Sequence, residues 1–275
     1  MATRSFLDII HRVRGDGDDP GDRHGGATGA RGEGLPQASP RNFMFATGIE
    51  CSYPTIDNGR VRRDLMEECG HYARWREDLA LVPDLGLQVL RYGLPYYKVH
   101  RAPGRYDWEF CDLVLAEMKR LGITPAAFRR PRLDGEFPEP GLPVHFADYA
   151  AAVAQRYPWV RFYTPVNEIY VTARVSGRDG LWNEQLRTDR GFVTAMKHLV
   201  AGSILATHEI TRRRPDCVIV QSESAEYTHE ARATPSREIV LRNKRRFIAL
   251  DLLYAYPPQA DTYAYLLERR DPRGI

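Results

Sequence analysis

The chain has 275 residues, 43% of them hydrophobic and 27% charged, with a net charge of +3. That composition is ordinary for a globular protein of one large domain or two small ones. The charge is too small, and the arginines too scattered, to argue for a nucleic-acid partner.

Residues 1 to 40 are predicted to be a disordered leader. Between Val13 and Leu35 almost nothing is apolar, so residues 14 to 40 cannot bury enough surface to offset their ordering entropy. The glycines there form no phosphate loop, because no strand precedes them and no helix follows. Residues 41 to 275 are expected to fold as a single domain. Phe43 to Ile49 reads as a first strand. Arg74 to Leu85 has helical spacing, with Trp75, Leu79 and Val82 on one face and Gly86 placed to stop it. Val89 to Leu94 is a second strand. Trp108 to Leu121 is an amphipathic helix with Phe110, Leu113, Val114, Glu117 and Leu121 in the three-four rhythm. Gly122 ends it, and Ile123 to Phe128 is a third strand.

Phe146 to Gln155 is the next helix. Phe162 to Val166, aromatic and β-branched after the turn-like Tyr157-Pro158, is a fourth strand. Thr194 to Arg213 is a long helix carrying Leu199, Ile204 and Leu205, with Pro215 beyond its end. Val218 to Ser222 is a fifth strand. Residues 238 to 256 and Asp261 to Arg269 look helical, and no sixth strand is legible. Strands alternating with helices argue for α/β architecture with a parallel sheet of βαβ units, and a run of such units for a barrel. At roughly forty residues per unit, about five of a barrel's eight strands fit.

The dipeptide Asn167-Glu168 closes the fourth strand. A carboxylate at the C-terminal end of a buried barrel strand sits where such enzymes keep their chemistry. There it can be partly desolvated as a general acid, while the neighbouring amide binds a substrate hydroxyl. A strand that simply ends in a solvated Asn-Glu turn would read the same. The four cysteines, Cys51, Cys69, Cys111 and Cys217, stand far apart with no CxxC pair, which argues for free thiols in a reducing compartment. No apolar run has the length of a membrane span, and the N-terminus makes a poor signal peptide. A cytoplasmic protein without a membrane partner is expected. A doubly wound nucleotide fold is disfavoured, since no glycine-rich turn joins a first strand to a helix.

Four blocks, each weak alone, are specific in combination. Phe43-Met44-Phe45-Ala46-Thr47-Gly48-Ile49-Glu50, Leu90-Arg91-Tyr92-Gly93, Gly122-Ile123-Thr124-Pro125 and Tyr163-Thr164-Pro165-Val166-Asn167-Glu168 resemble successive strand blocks of family 1 glycoside hydrolases. These are the β-glucosidase-like TIM barrels, and the resemblance runs from about Phe43 to about Glu268. It implies a retaining β-glycosidase acting on O-glycosidic bonds, with a carbohydrate substrate and no metal or organic cofactor. It also implies roles: Glu168 as catalytic acid/base, Asn167 as ligand of the sugar 2-hydroxyl, and Arg91 as orienter of the carboxylates. Retaining hydrolysis needs two carboxyls about 5 Å apart, one protonated and one ionised. An arginine beside the second keeps it anionic. For Arg91 a structural salt bridge is the plain alternative.

Two departures qualify the resemblance. Where the family carries a His-Trp or His-Phe pair after strand three, this chain reads Phe128-Arg129-Arg130-Pro131-Arg132. That block is either a specialisation or a brief frame disturbance. The family's nucleophile is a Glu on strand seven, beyond the five strands legible here, so a prematurely ended reading frame is expected. Glu223 and Glu226 follow strand five on the catalytic rim. Glu223 is read as a substrate-contacting or solvated loop carboxylate, with the nucleophile role as its alternative. Glu50 is a further rim carboxylate of the same kind. Trp182, in the long loop after strand four, is placed to stack on a sugar face or to pack. The alternative to an enzyme is an inactive, truncated pseudoenzyme that binds sugar weakly, and its open sheet edges would self-associate.

Overall fold

The computed structural model describes residues 45–128, 140–231 and 234–269. The expected leader, Phe43 and Met44, the block Arg129 to Arg132 and residues 270–275 lie outside the described residues. In chain order, β1 (Ala46–Ile49) leads to a hairpin of β2 (Thr55–Ile56) and β3 (Val61–Arg62). Helices α1 (Leu65–Glu68) and α2 (His71–Asp84) precede β4 (Val89–Gly93). A short helix α3 (Tyr96–Val99) and a hairpin of β5 (His100–Ala102) and β6 (Arg105–Tyr106) come next. Then come α4 (Glu109–Arg120), β7 (Thr124–Phe128), α5 (Leu142–Arg156) and β8 (Phe162–Thr164). The chain continues through α6 (Ile169–Gly177), α7 (Asp189–Arg213) and β9 (Val218–Ile219). It closes with α8 (Arg237–Arg245), α9 (Ile248–Leu253) and α10 (Ala260–Glu268).

Strands β1, β4, β7, β8 and β9 form one sheet in that order, every neighbouring pair parallel. Five sequential parallel strands with helices between them are the arrangement of a (β/α) barrel over part of its circuit. The α/β class and the five strands therefore stand as expected. Among the described residues, no helix is long and apolar enough to cross a membrane.

Strand β4 shows how the sheet sorts its side chains. Alternate residues of a strand face opposite ways. Leu90 and Tyr92 are fully buried toward α2, where the Tyr92 hydroxyl meets Nε2 of buried His71 at 2.9 Å. Arg91 faces the other side. Its register partners are Gly48 on β1 and Ala126 on β7, both small, which leaves space for the guanidinium. Helix α2 buries Trp75, Leu79 and Val82, the face the spacing predicts. Gly86 and Gly122 stop α2 and α4 with positive φ of 74° and 70°. In each case the next amide reaches back into the last turn, Leu87 N to Val82 O at 3.1 Å and Ile123 N to Met118 O at 2.8 Å.

Other expectations need correction. Helix α4 turns Cys111, Val114, Leu115 and Met118 inward, while Leu113 is 47% exposed, so the predicted stripe was rotated. Phe110 instead flanks that face, edge-on to Trp75 and Tyr72. The fourth strand stops at Thr164, because Pro165 has no N–H to continue the ladder. The stretch after it is not simply a long loop, since α6 begins at Ile169. Both hairpins were missed, although Asp57-Asn58-Gly59 and Pro103-Gly104 are turn signals.

Helix α7 packs on α5 and α6, and the α6–α7 crossing is set by a pair of glycines. A Cβ on Gly177 would lie 2.7 Å from the backbone carbon of Gly191, and one on Gly191 would lie 2.6 Å from Gly177 O. Neither contact can relax by side-chain motion. Gly177→Ala or Gly191→Ala is expected to destabilise the fold by about 2 kcal/mol or more, despite alanine's better helix propensity. Gly202→Ala, where the nearest atom is Phe146 Cδ1 at 3.3 Å, should cost less. Urea unfolding of the three variants checks the ranking.

Candidate active site

An open recess of about 500 Å³ lies at the carboxyl ends of the strands, lined by Ala46, Thr47, Gly48, Ile49, Glu50, Arg91, Asn167 and Glu168. Three of the sequence-predicted residues, Arg91, Asn167 and Glu168, thus meet in one place. Glu50, passed over in the sequence as one rim carboxylate among several, joins them. It comes directly after β1, and its place at a strand end was the signal available to find it.

Glu50 links the others. Its Oε1 accepts from Asn167 Nδ2 at 3.4 Å and lies 3.6 Å from an Arg91 guanidinium nitrogen. Both contacts set a donor or a cation against that one oxygen. Asn167 is 3% exposed, and its Oδ1 is buried without a hydrogen-bond partner among the described residues. A buried amide oxygen left unpaired costs roughly 1–3 kcal/mol, so a ligand hydroxyl donating to it recovers that loss.

The Asn167-Glu168 turn is built by backbone geometry. After the bend at Pro165-Val166, Asn167 rejoins the sheet through a parallel bridge to Ser222, and Glu168 N–H donates to Ser222 O at 2.9 Å. Glu168 itself has φ 49° and ψ 60°, the left-handed region, and occupies the N-cap position of α6. That conformation costs a non-glycine residue about 1–2 kcal/mol, and such strain gathers at functional sites. The Glu168 side chain caps no amide of its own helix, which leaves its carboxylate to the recess.

Glu223 does not line the recess. Its carboxylate sits on the first turn of α6, accepting from Tyr170 N at 3.2 and 3.3 Å through its two oxygens, with the amide of Ile169 also acting on it. Burial pushes its pKa from 4.5 up to about 7, against the pull of those amides, and the Glu168 charge adds to the rise. Trp182 also lies outside the recess lining, half-buried on the loop after α6. There Asn183 pins the segment to β2, its N–H donating to Thr55 O at 2.8 Å and its Oδ1 accepting from Thr55 N at 3.2 Å. Among the described residues, no cluster of three His, Cys, Asp or Glu could hold a metal ion.

No protein-family model matches the chain, and no curated protein matches its sequence. Solved structures do match in fold. The family 1 β-glucosidase of Thermotoga maritima aligns with a TM-score of 0.67 at 19% identity, over 75% of this chain and 50% of that one. The same enzyme in complex with castanospermine aligns with a TM-score of 0.72 at 17% identity, over 86% and 61%. Its complex with glucoimidazole gives 0.67 at 18%. This chain spans about half to three-fifths of the length of those structures. At such identity the likeness shows a fold, that of part of a glycosidase barrel.

Two outcomes follow from the geometry. Glu168→Gly should raise stability by up to about 1 kcal/mol, because glycine adopts the left-handed region without strain; thermal melts check this. Glu223 sets a pH dependence. The folded chain keeps its proton up to about pH 7, whereas the unfolded chain releases it near 4.5. The resulting stability is fully present below the lower value, declines as pH rises toward the upper one, and is gone above it. Its size is at most about 3 kcal/mol. Chemical denaturation between pH 4 and pH 8 should show this decline in the native chain and a flatter profile in Glu223→Gln.

Proposed function

We propose that the recess binds a β-linked glycoside and that Glu168 is the proton donor for cleavage of its O-glycosidic bond. The observation that carries this reading is the convergence of Glu168, Asn167, Arg91 and Glu50 at the carboxyl rim of a parallel sheet whose fold resembles β-glucosidases. In this reading the unpaired Asn167 Oδ1 takes a sugar hydroxyl. Arg91 stands beside the Glu50 carboxylate, whose negative charge faces the positive charge that develops on the sugar ring. A general acid at Glu168 protonates the leaving oxygen as the bond breaks.

A second reading, sugar binding without turnover, is favoured by one feature of the described sheet. It has five strands, and the resemblance puts the nucleophile on a seventh. The two readings separate in one set of measurements. The native chain and Glu168→Gln are titrated with glucoimidazole and assayed on an alkyl β-glucoside and on 2,4-dinitrophenyl β-glucoside. General-acid catalysis predicts a loss of about 10²–10⁴ in Glu168→Gln on the alkyl glucoside. The loss should be far smaller on the dinitrophenyl glucoside, whose leaving group needs no proton. Binding without hydrolysis of either substrate selects the second reading. Absence of both binding and hydrolysis overturns both.

A further inference from the structure

We infer that Glu223 is a positioning residue for Glu168: it caps α6 from the loop after β9, so the glutamate at the helix's own N-cap position is spared that task. This rests on the proposed role of Glu168 and extends it.

A helix begins with amides that have no partner inside the helix, and the N-cap side chain usually supplies one. Three other helices of the described residues follow that rule, and six have no side-chain cap. Thr188 accepts from Gly191 N at the start of α7, Ser236 from Ile239 N at α8, and Asp64 from Met66 N and Glu67 N at α1. At α6 the N-cap residue is Glu168, and its side chain makes no capping bond. The acceptor comes instead from Glu223, 55 residues further along the chain, on the amide of Tyr170, with the Ile169 amide beside it. The residue before it, Ser222, accepts from Glu168 N and bridges to Asn167. Ser222 through its backbone and Glu223 through its carboxylate therefore hold the stretch from Asn167 to Tyr170.

The arrangement separates two tasks that one carboxylate cannot do together. A Glu168 folded back on Ile169 and Tyr170 would be tied to amides and turned from the recess. With those amides taken by Glu223, the Glu168 carboxylate stays at the recess wall while its backbone is held left-handed. The charged groups around Glu223 leave this assignment intact. Glu168 repels it, and Arg174 on α6 is committed to Glu226 at 2.6 Å and Asp179 at 3.1 Å.

The test uses the full chain, ¹⁵N-labelled, as native protein, Glu223→Gln and Glu223→Ala. In the native chain the Ile169 and Tyr170 amide signals should titrate together with a midpoint of about 7. Glu223→Gln, which keeps an acceptor oxygen, should retain their protection from hydrogen exchange and lose the titration. Glu223→Ala should raise exchange at both amides about tenfold or more, with the α7 amides unchanged. It should also weaken glucoimidazole binding about tenfold, and glutamine should restore it. Unchanged exchange at Ile169 and Tyr170 in Glu223→Ala overturns the inference. So does glucoimidazole binding that ignores both Glu223 variants while Glu168→Gln abolishes it. Should Glu223→Ala fail to fold, the native chain against Glu223→Gln still decides: an identical amide titration in both overturns it. A native chain that binds no glucoimidazole would sink the glycoside reading alone, and the amide measurements would still decide what Glu223 holds.

Discussion

The turn from β8 into α6 is the constraint on which the rest of the site depends. The chain touches the sheet for the last time at Asn167 and enters a helix at Ile169, so the reversal falls on Glu168, whose backbone is left-handed. Glu168 has no intrinsic preference for that conformation, so its surroundings must hold it there. Ser222 fixes the turn from the β9 side. The glycine pair Gly177 and Gly191 fixes the far end of α6 by bringing its backbone against α7. A side chain at either glycine would push the helix away from α7 and shift the carboxylate at its other end.

Charge placement within the recess follows from that frame. Glu50 and Arg91 sit on adjacent strands, β1 and β4, where parallel register places Gly48 beside Arg91. The small partner lets the guanidinium stand at the rim near the Glu50 carboxylate. Asn167 reaches the same carboxylate from two strands further along the sheet. One oxygen of Glu50 thus gathers an amide and a cation, leaving the Asn167 carbonyl as an unpaired acceptor. Preorganised dipoles of this kind need no rearrangement when a ligand arrives.

Much of the architecture was legible because it depends on local chemistry. Gly86 and Gly122 stop helices wherever a chain needs positive φ, and Trp75, Leu79 and Val82 could fall only on one helical face. Helix α4 was legible in extent but not in phase. Phe110, Cys111, Leu113, Val114, Leu115 and Met118 leave little of its circumference polar, and only the neighbouring elements decide which side is covered. Helix α6 was missed because Ile169, Val171, Thr172 and Val175 are β-branched and carry no helical preference; its packing on α7 overrides that. The site divided in the same way. Glu168 stood out because a strand-like run precedes it. The part played by Glu223 depends on a contact between β9 and α6, which no local pattern encodes.

The last three helices are joined to the rest of the molecule in a different manner from the sheet. Asp189, at the start of α7, receives Arg178 at 2.9 Å, the Tyr265 hydroxyl at 2.8 Å and Arg269 at 3.1 Å. Arg178 also reaches Glu238 on α8 at 2.7 Å, and Arg245 lies 4.3 Å over the Tyr265 ring. The apolar part of this seam continues the main core, with Ile248 and Ala249 fully buried and the Tyr265 ring tilted against Phe192 of α7. Partly exposed ion pairs contribute little and are screened as salt rises, whereas the sheet's buried contacts are not. The segment from Arg237 to Glu268 is therefore held mainly by its buried apolar contacts, while the ion pairs set how its helices lie on α7. High ionic strength weakens those ion pairs and leaves the segment seated on its apolar contacts.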